Sequence, residues 1–211
     1  MQYLKFKETV QDSPLFSSSQ LNVLEKNEQI LRNQLNRWVK KGLVLKLRKG
    51  LYILNGRDRK INPSQPFLAN QIYSPSYVSL EYALAFYELI PEEVPDVTSV
   101  STRKTAHFQN DFGAFHYQHI PVNAYHGFQL LTEKNGLGYF IALPEKAVVD
   151  FLYFNLSSFN NQNTEIFNLS YRFQNLSTLK KDRVIEFAEI FQTKKLLKVA
   201  RLFCDFARKE K

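Results

Sequence analysis

The sequence holds a single cysteine, Cys204, so no disulfide can close within the chain and no Cys-x-x-Cys pair is available for zinc or thiol exchange. It also lacks a glycine-rich phosphate loop and a Gly-x-Ser-x-Gly elbow, and enzymatic function therefore has no positive support. No apolar run approaches the ~20 residues needed to span a bilayer, and the first ten residues, MQYLKFKETV, have no long apolar core behind their charges. These absences lead to the expectation of a cytoplasmic protein with no membrane partner, in which the Asn-x-Ser triplets at Asn155, Asn168 and Asn175 are coincidental. With 44% hydrophobic and 23% charged residues over 211 positions, the chain has an ordinary globular composition and can bury a real core.

Acidic residues are scarce in one stretch in particular. From Arg32 to Lys60 there are ten Lys or Arg and one acid, Asp58, where a merely solvated surface would mix both signs. The net charge of +8 is unevenly spread: residues 1–60 carry +8, residues 61–179 carry −5 and residues 180–211 carry +5. A cationic partner-binding surface is thus a property of the N-terminus, with a weaker second one at the C-terminus.

The stretch from Asn27 to Leu54 gives that charge a shape. On a helical wheel Leu31, Leu35, Trp38 and Val39 gather into one stripe roughly 100° wide, the width a core-facing helix presents. Gln29, Arg32, Asn33, Asn36, Arg37 and Lys40 share the other face, and their donors and acceptors suit phosphate oxygens and base edges in a major groove. Gly42 stops the helix. From Leu43 to Arg48 apolar residues alternate with Lys46 and Arg48, Lys49-Gly50 supplies a turn, and Leu51 to Leu54 returns as a second strand. With a first helix over Met1–Val10 and a short one over Gln20–Leu24 behind the hydroxyls of Ser17–Ser19, the order is that of a winged helix-turn-helix. The plain alternative is that this face is only the solvated side of a helix.

Asn55 to Pro66 is polar and without hydrophobic period, which reads as a linker between a DNA-binding domain at 1–60 and a C-terminal domain at 61–211. Its Arg57, Arg59 and Lys60 either follow phosphate or are simply hydrated. Beyond it the sequence predicts a helix from Ser79 to before Pro91, and strands over Val97–Thr105, Gly113–Ile120, Tyr125–Thr132 and Leu137–Leu143, the last two joined at Asn135-Gly136. A helix follows over Glu145–Phe154. The Asn-rich run 155–176 reads as a long loop, or a loop with a strand at Ile166–Phe173, and amphipathic helices close the chain over Lys180–Arg208. Their basic face (Lys180, Lys181, Arg183, Lys194, Lys195, Lys198, Arg201) is either solvated or a contact for an acidic protein or nucleic acid. The fold class expected is α+β: a winged helix-turn-helix joined to a mixed α/β domain with a small antiparallel sheet and terminal helices.

Catalytic and metal constellations are weak. His116 and His119, three apart in a strand, face opposite ways and do not converge on an ion. Glu145 and Asp150, five apart on a helix, diverge by ~140°. Cys204 sits on an apolar helix face and reads as core. No catalytic residue, metal ligand or cofactor is expected.

The stretches LNRWVKKGLVLKLRKGLYIL (35–54), YSPSYVSLEYALAFYELIPEEVPDVTSVSTRKT (73–105) and LPEKAVVDFLYF (143–154), in this order, resemble the AbiEi-type antitoxins of bacterial abortive-infection, type IV toxin–antitoxin systems. With the Phe108–Gly127 region they span most of residues 1–155. The resemblance implies a cytosolic, non-catalytic protein serving phage defence. Its N-terminal domain would bind inverted repeats in double-stranded DNA upstream of its own operon as a transcriptional repressor, and its C-terminal domain would neutralise a nucleotidyltransferase-like toxin. The residues expected at DNA are Gln29, Arg32, Asn33, Asn36, Arg37 and Lys40 on the helix and Lys46, Arg48 and Lys49 on the wing. Two rival readings stand beside it: a transcription factor whose C-terminal domain binds a small effector, and an enzyme acting on nucleic acid.

Overall fold

The computed structural model describes residues 2–23, 27–159 and 164–209; the expected end of the second short helix, Leu24, lies outside them. The chain opens with helix α1 (Tyr3–Val10), strand β1 (Phe16–Ser17) and a single 3-10 turn over Gln20–Val23. Helix α2 (Glu28–Lys40) follows, and then the hairpin of β2 (Val44–Arg48) and β3 (Leu51–Leu54). β1 pairs with β3 and closes a small antiparallel sheet in the order β1-β3-β2. The second short helix of the sequence reading is thus a 3-10 turn, with Ser17 Oγ accepting from the Gln20 backbone N–H at 3.2 Å.

After the hairpin come α3 (Gln65–Ile72), β4 (Ser76–Val78), α4 (Leu80–Phe86), β5 (Val97–Ser101), β6 (Ala106–Asn110) and β7 (Gly113–His119). The remainder is β8 (Phe128–Thr132), β9 (Gly138–Ala142), α5 (Pro144–Phe154), α6 (Lys181–Ile190) and α7 (Lys194–Lys209). The architecture is mixed α+β with two sheets. The larger sheet corrects the expectation of a small antiparallel one: it has six strands in the order β6-β7-β5-β4-β9-β8, with β5 parallel to β7 and β4 parallel to β9. Its central strands are covered on both faces. Tyr117 donates its hydroxyl to the Ala69 carbonyl of α3 on one side, and Tyr77 donates to Asp150 of α5 on the other.

The stretch read as a linker is folded. Asn55 Oδ1 accepts from the backbone N–H groups of Arg57 and Asp58, Lys60 reaches Asp12 at 2.9 Å, and Ser64 caps α3 by accepting from the Phe67 N–H. The run that reads as a loop, or a loop with a strand at Ile166–Phe173, carries instead a π-helical turn over Ile166–Ser170, with Phe167 and Phe173 both turned inward onto Phe203. The hairpin belongs to two cores at once. Val44, Tyr52 and Leu54 pack with Phe6, Leu31, Leu35 and Trp38, whereas Leu47, Leu51 and Ile53 pack into the large core with Phe67 and Leu68. Alternate residues of β3 face opposite ways, so burial of all four means that neither face of the strand meets solvent.

Candidate nucleic-acid interface

Helix α2 starts at Asn27, whose Oδ1 accepts from the N–H groups of Gln29 and Ile30 at 3.0 and 3.2 Å, satisfying two donors the helix leaves without partners. It ends at Gly42, whose φ of +65° carries the turn. The Gly42 N–H returns to the Val39 carbonyl and the Leu43 N–H to that of Trp38. Leu31, Leu35 and Trp38 are buried, with the Trp38 ring stacked on Phe6 at 4.5 Å and met edge-on by Tyr3 at 5.6 Å. Each such side chain contributes about 1.5–3 kcal/mol by burial, enough to fix which way the helix faces.

The opposite face is therefore held outward. Gln29, Arg32, Asn33, Asn36, Arg37 and Lys40 are all exposed, as are Lys46 and Lys49 of the hairpin. Gln29 Nε2 donates to Asn33 Oδ1 at 3.1 Å along the helix. Among the described residues, none of Arg32, Arg37, Lys40, Lys46 and Lys49 is paired with a carboxylate. Arg32 and Asn36 of α2 converge with Lys46 and Lys49 on a cleft of about 660 Å³ between helix and hairpin, whose far wall carries Ser18 and Ser19. Three cationic groups, a carboxamide and two hydroxyls around one opening suit a phosphate. Gln29, Asn33, Arg37 and Lys40 lie outside that cleft, on the open face of the helix. Ser18 and Ser19, capping hydroxyls by sequence, come beside the hairpin turn through the pairing of β1 with β3 and the approach of the Ser18 N–H to the Gly50 carbonyl at 3.0 Å.

Arg48 stands apart from the other eight expected contacts. Its Nε donates to the Ile72 carbonyl at 2.6 Å and its Nη1 to the Lys49 carbonyl at 2.9 Å, so the half-buried guanidinium ties the hairpin to the end of α3. Asn110 of β6 adds a second tie through Nδ2 to the Leu47 carbonyl at 3.1 Å. In the former linker, Arg59 lies over the Phe112 ring at 5.3 Å and Arg57 is exposed.

A second polar cluster is sealed. Lys146 and Asp150, one turn apart on α5, form an ion pair with no solvent exposure, and Asp150 also accepts from Tyr77 at 2.9 Å and Ser79 at 2.8 Å. Burial lowers the Lys146 pKa against the opposing pull of Asp150, and burial with Asp150 raises that of Tyr77. Ser, Lys and Tyr in one cluster are residue types that serve acyl transfer, but no substrate can reach them, and the arrangement acts as a structural pin. It joins the 73–105 and 143–154 stretches of the sequence. Glu145 does not approach Asp150; its Oε1 accepts from the Lys180 N–H at 3.0 Å and fixes the start of α6. Cys204 is buried, and burial pushes its thiol up to about 11. His119 turns to the Arg103 carbonyl, away from His116. Among the described residues no group of three or more His, Cys, Asp or Glu side chains is placed to hold a metal, and no helix is long and apolar enough to cross a membrane.

No protein-family model matches the chain, and no curated protein matches it.

Proposed function

We propose that this protein is a DNA-binding autorepressor and antitoxin of the AbiEi type, with residues 3–54 acting as a winged helix. The observation that carries the DNA-binding half is the α2 face: two arginines, a lysine and three carboxamides held outward by a buried tryptophan face, next to hairpin lysines with no acidic partner among the described residues. In this reading Arg32, Asn33, Asn36 and Arg37 enter the major groove, Gln29 and Lys40 flank them, and Lys46 and Lys49 rest on phosphate. Two copies on an inverted repeat need half-sites about one helical turn apart, or a multiple of it. The antitoxin half rests on the family resemblance of residues 35–54, 73–105 and 143–154.

Two experiments separate these halves. Footprinting of the region upstream of its gene is expected to show protection of an inverted repeat; uniform, unpatterned protection counts against a repressor. Expressing the neighbouring gene alone is expected to arrest growth, and co-expressing this chain to relieve the arrest. A neighbour without toxicity favours the effector-responsive transcription factor, for which the cleft of about 410 Å³ lined by Tyr82, Phe86, Ile90 and Glu93 offers a binding place.

A further inference from the structure

β6 and β7 are antiparallel, and in their register His107 stands directly opposite His116. The two side chains share one face of the ladder, with Nδ1 atoms 3.2 Å apart and ring centroids 4.5 Å apart. On the far side of the second ring, His116 Nε2 lies 3.5 Å from Asp96 Oδ2. A carboxylate behind one imidazole and two Nδ1 atoms facing each other make up the order of groups seen where histidine holds a metal.

We propose that His107 and His116 form a binding site for a divalent transition-metal ion that favours imidazole, zinc or nickel, with water completing the coordination. Separation is the first argument. An ion at ~2.0–2.1 Å from two nitrogens in tetrahedral geometry places those nitrogens about 3.3 Å apart, close to the 3.2 Å already set by the strand register. The second argument is tautomer. The Asp96 carboxylate oxygen 3.5 Å from His116 Nε2 favours the proton on that nitrogen, which turns the Nδ1 lone pair toward His107 and the ion. Access is the third. β6 is an edge strand of the sheet, His107 is exposed, and the His116 and Asp96 side chains are 41% and 51% exposed, so an ion with its waters enters without any opening of the fold. Magnesium and calcium, which favour oxygen ligands, do not suit a pair of imidazoles. An ion here clasps the edge strand to β7 and, through Asp96, to the start of β5. The other end of β6 carries Asn110, which holds the hairpin.

The test uses the untagged full chain, stripped of metal, titrated with zinc chloride and with nickel chloride by calorimetry and followed by NMR of the histidine rings. One ion per chain is expected, with ring shifts at His107 and His116 and none at His119. His107→Gln, an exposed change that leaves the core intact, is expected to weaken binding at least tenfold. Asp96→Asn is expected to weaken it by about 10–100-fold, with His119→Gln unchanged. Absence of binding by the wild type, or His107→Gln binding within twofold of it, overturns the proposal.

Discussion

The Arg48 guanidinium donates to the Ile72 carbonyl at 2.6 Å, and through this bond the tip of the β2–β3 hairpin is held by the last turn of α3. A wing residue expected at DNA is thus engaged with the body of the protein. It aims Lys46 and Lys49.

Positioning and phosphate contact leave different marks on salt dependence. Each phosphate neutralised adds about 0.9 to the slope of log affinity against log salt. Lys49→Ala is expected to flatten that slope by about one unit and to weaken binding alike on all duplexes. Arg48→Gln is expected to weaken binding while leaving the slope unchanged. A slope that falls by one in Arg48→Gln shows that the guanidinium leaves Ile72 to meet phosphate.

The shared hairpin makes the packing of α2 depend on the large core. Leu47 is 2% exposed and packs into that core, not against α2. Leu47→Ala is expected to destabilise the whole protein by roughly 2–5 kcal/mol, the range for a buried leucine cavity, measured as a shift in the urea midpoint. A fragment of residues 1–60, with Leu47, Leu51 and Ile53 uncovered, is expected to lack a cooperative thermal transition.

The sealed Lys146–Asp150 pair predicts strong non-additivity. Removing either partner leaves the other charge buried alone, so Lys146→Met and Asp150→Leu singly are each expected to lose about 3–5 kcal/mol. The double variant is expected to lose less than the sum of the two, regaining the cost of the unpaired charge but not that of the Tyr77 and Ser79 hydroxyls left without their acceptor. Additive losses in urea denaturation contradict the pairing.

Asp58 predicts an acid limb. Its carboxyl is held below its ordinary 3.8 first by the Lys7 ammonium, 2.7 Å away, then by the Tyr3 hydroxyl, also at 2.7 Å. A depressed carboxyl pKa contributes stability that is full above the unfolded value and is lost as pH falls through the folded one. The stability gap between wild type and Asp58→Asn is therefore expected to be constant at neutral pH and to close as pH drops below 3.8. A gap independent of pH through that window contradicts the assignment.

Features that rest on local signals were legible in the sequence. The facing of α2, the glycine that ends it and the hairpin turn at Lys49-Gly50 all follow from period and backbone freedom. What depended on partners distant in the chain was not. β4 is three residues long and β6 (AHFQN) only five, too short to stand out locally, and the parallel pairs β4–β9 and β5–β7 join strands distant in the chain. By sequence the nearest candidate partner of Asp150 is Glu145, whereas its buried partner is Lys146, one turn away on the same helix. The inward turn of Arg48 and the meeting of His107 with His116 likewise depend on tertiary contact and register. Among the expected contacts, the cleft gathers Arg32, Asn36, Lys46 and Lys49, and the open helix face keeps the rest except Arg48.

A fluorescence-anisotropy titration of the full chain at fixed salt, against duplex from upstream of its own gene and against the same duplex scrambled, tests the role of the α2 face most directly. Asn36→Ala and Arg37→Ala are each expected to lose about 1–3 kcal/mol on the native duplex and little on the scrambled one. Equal losses on both duplexes, or wild-type binding by both variants, contradict base reading by this helix.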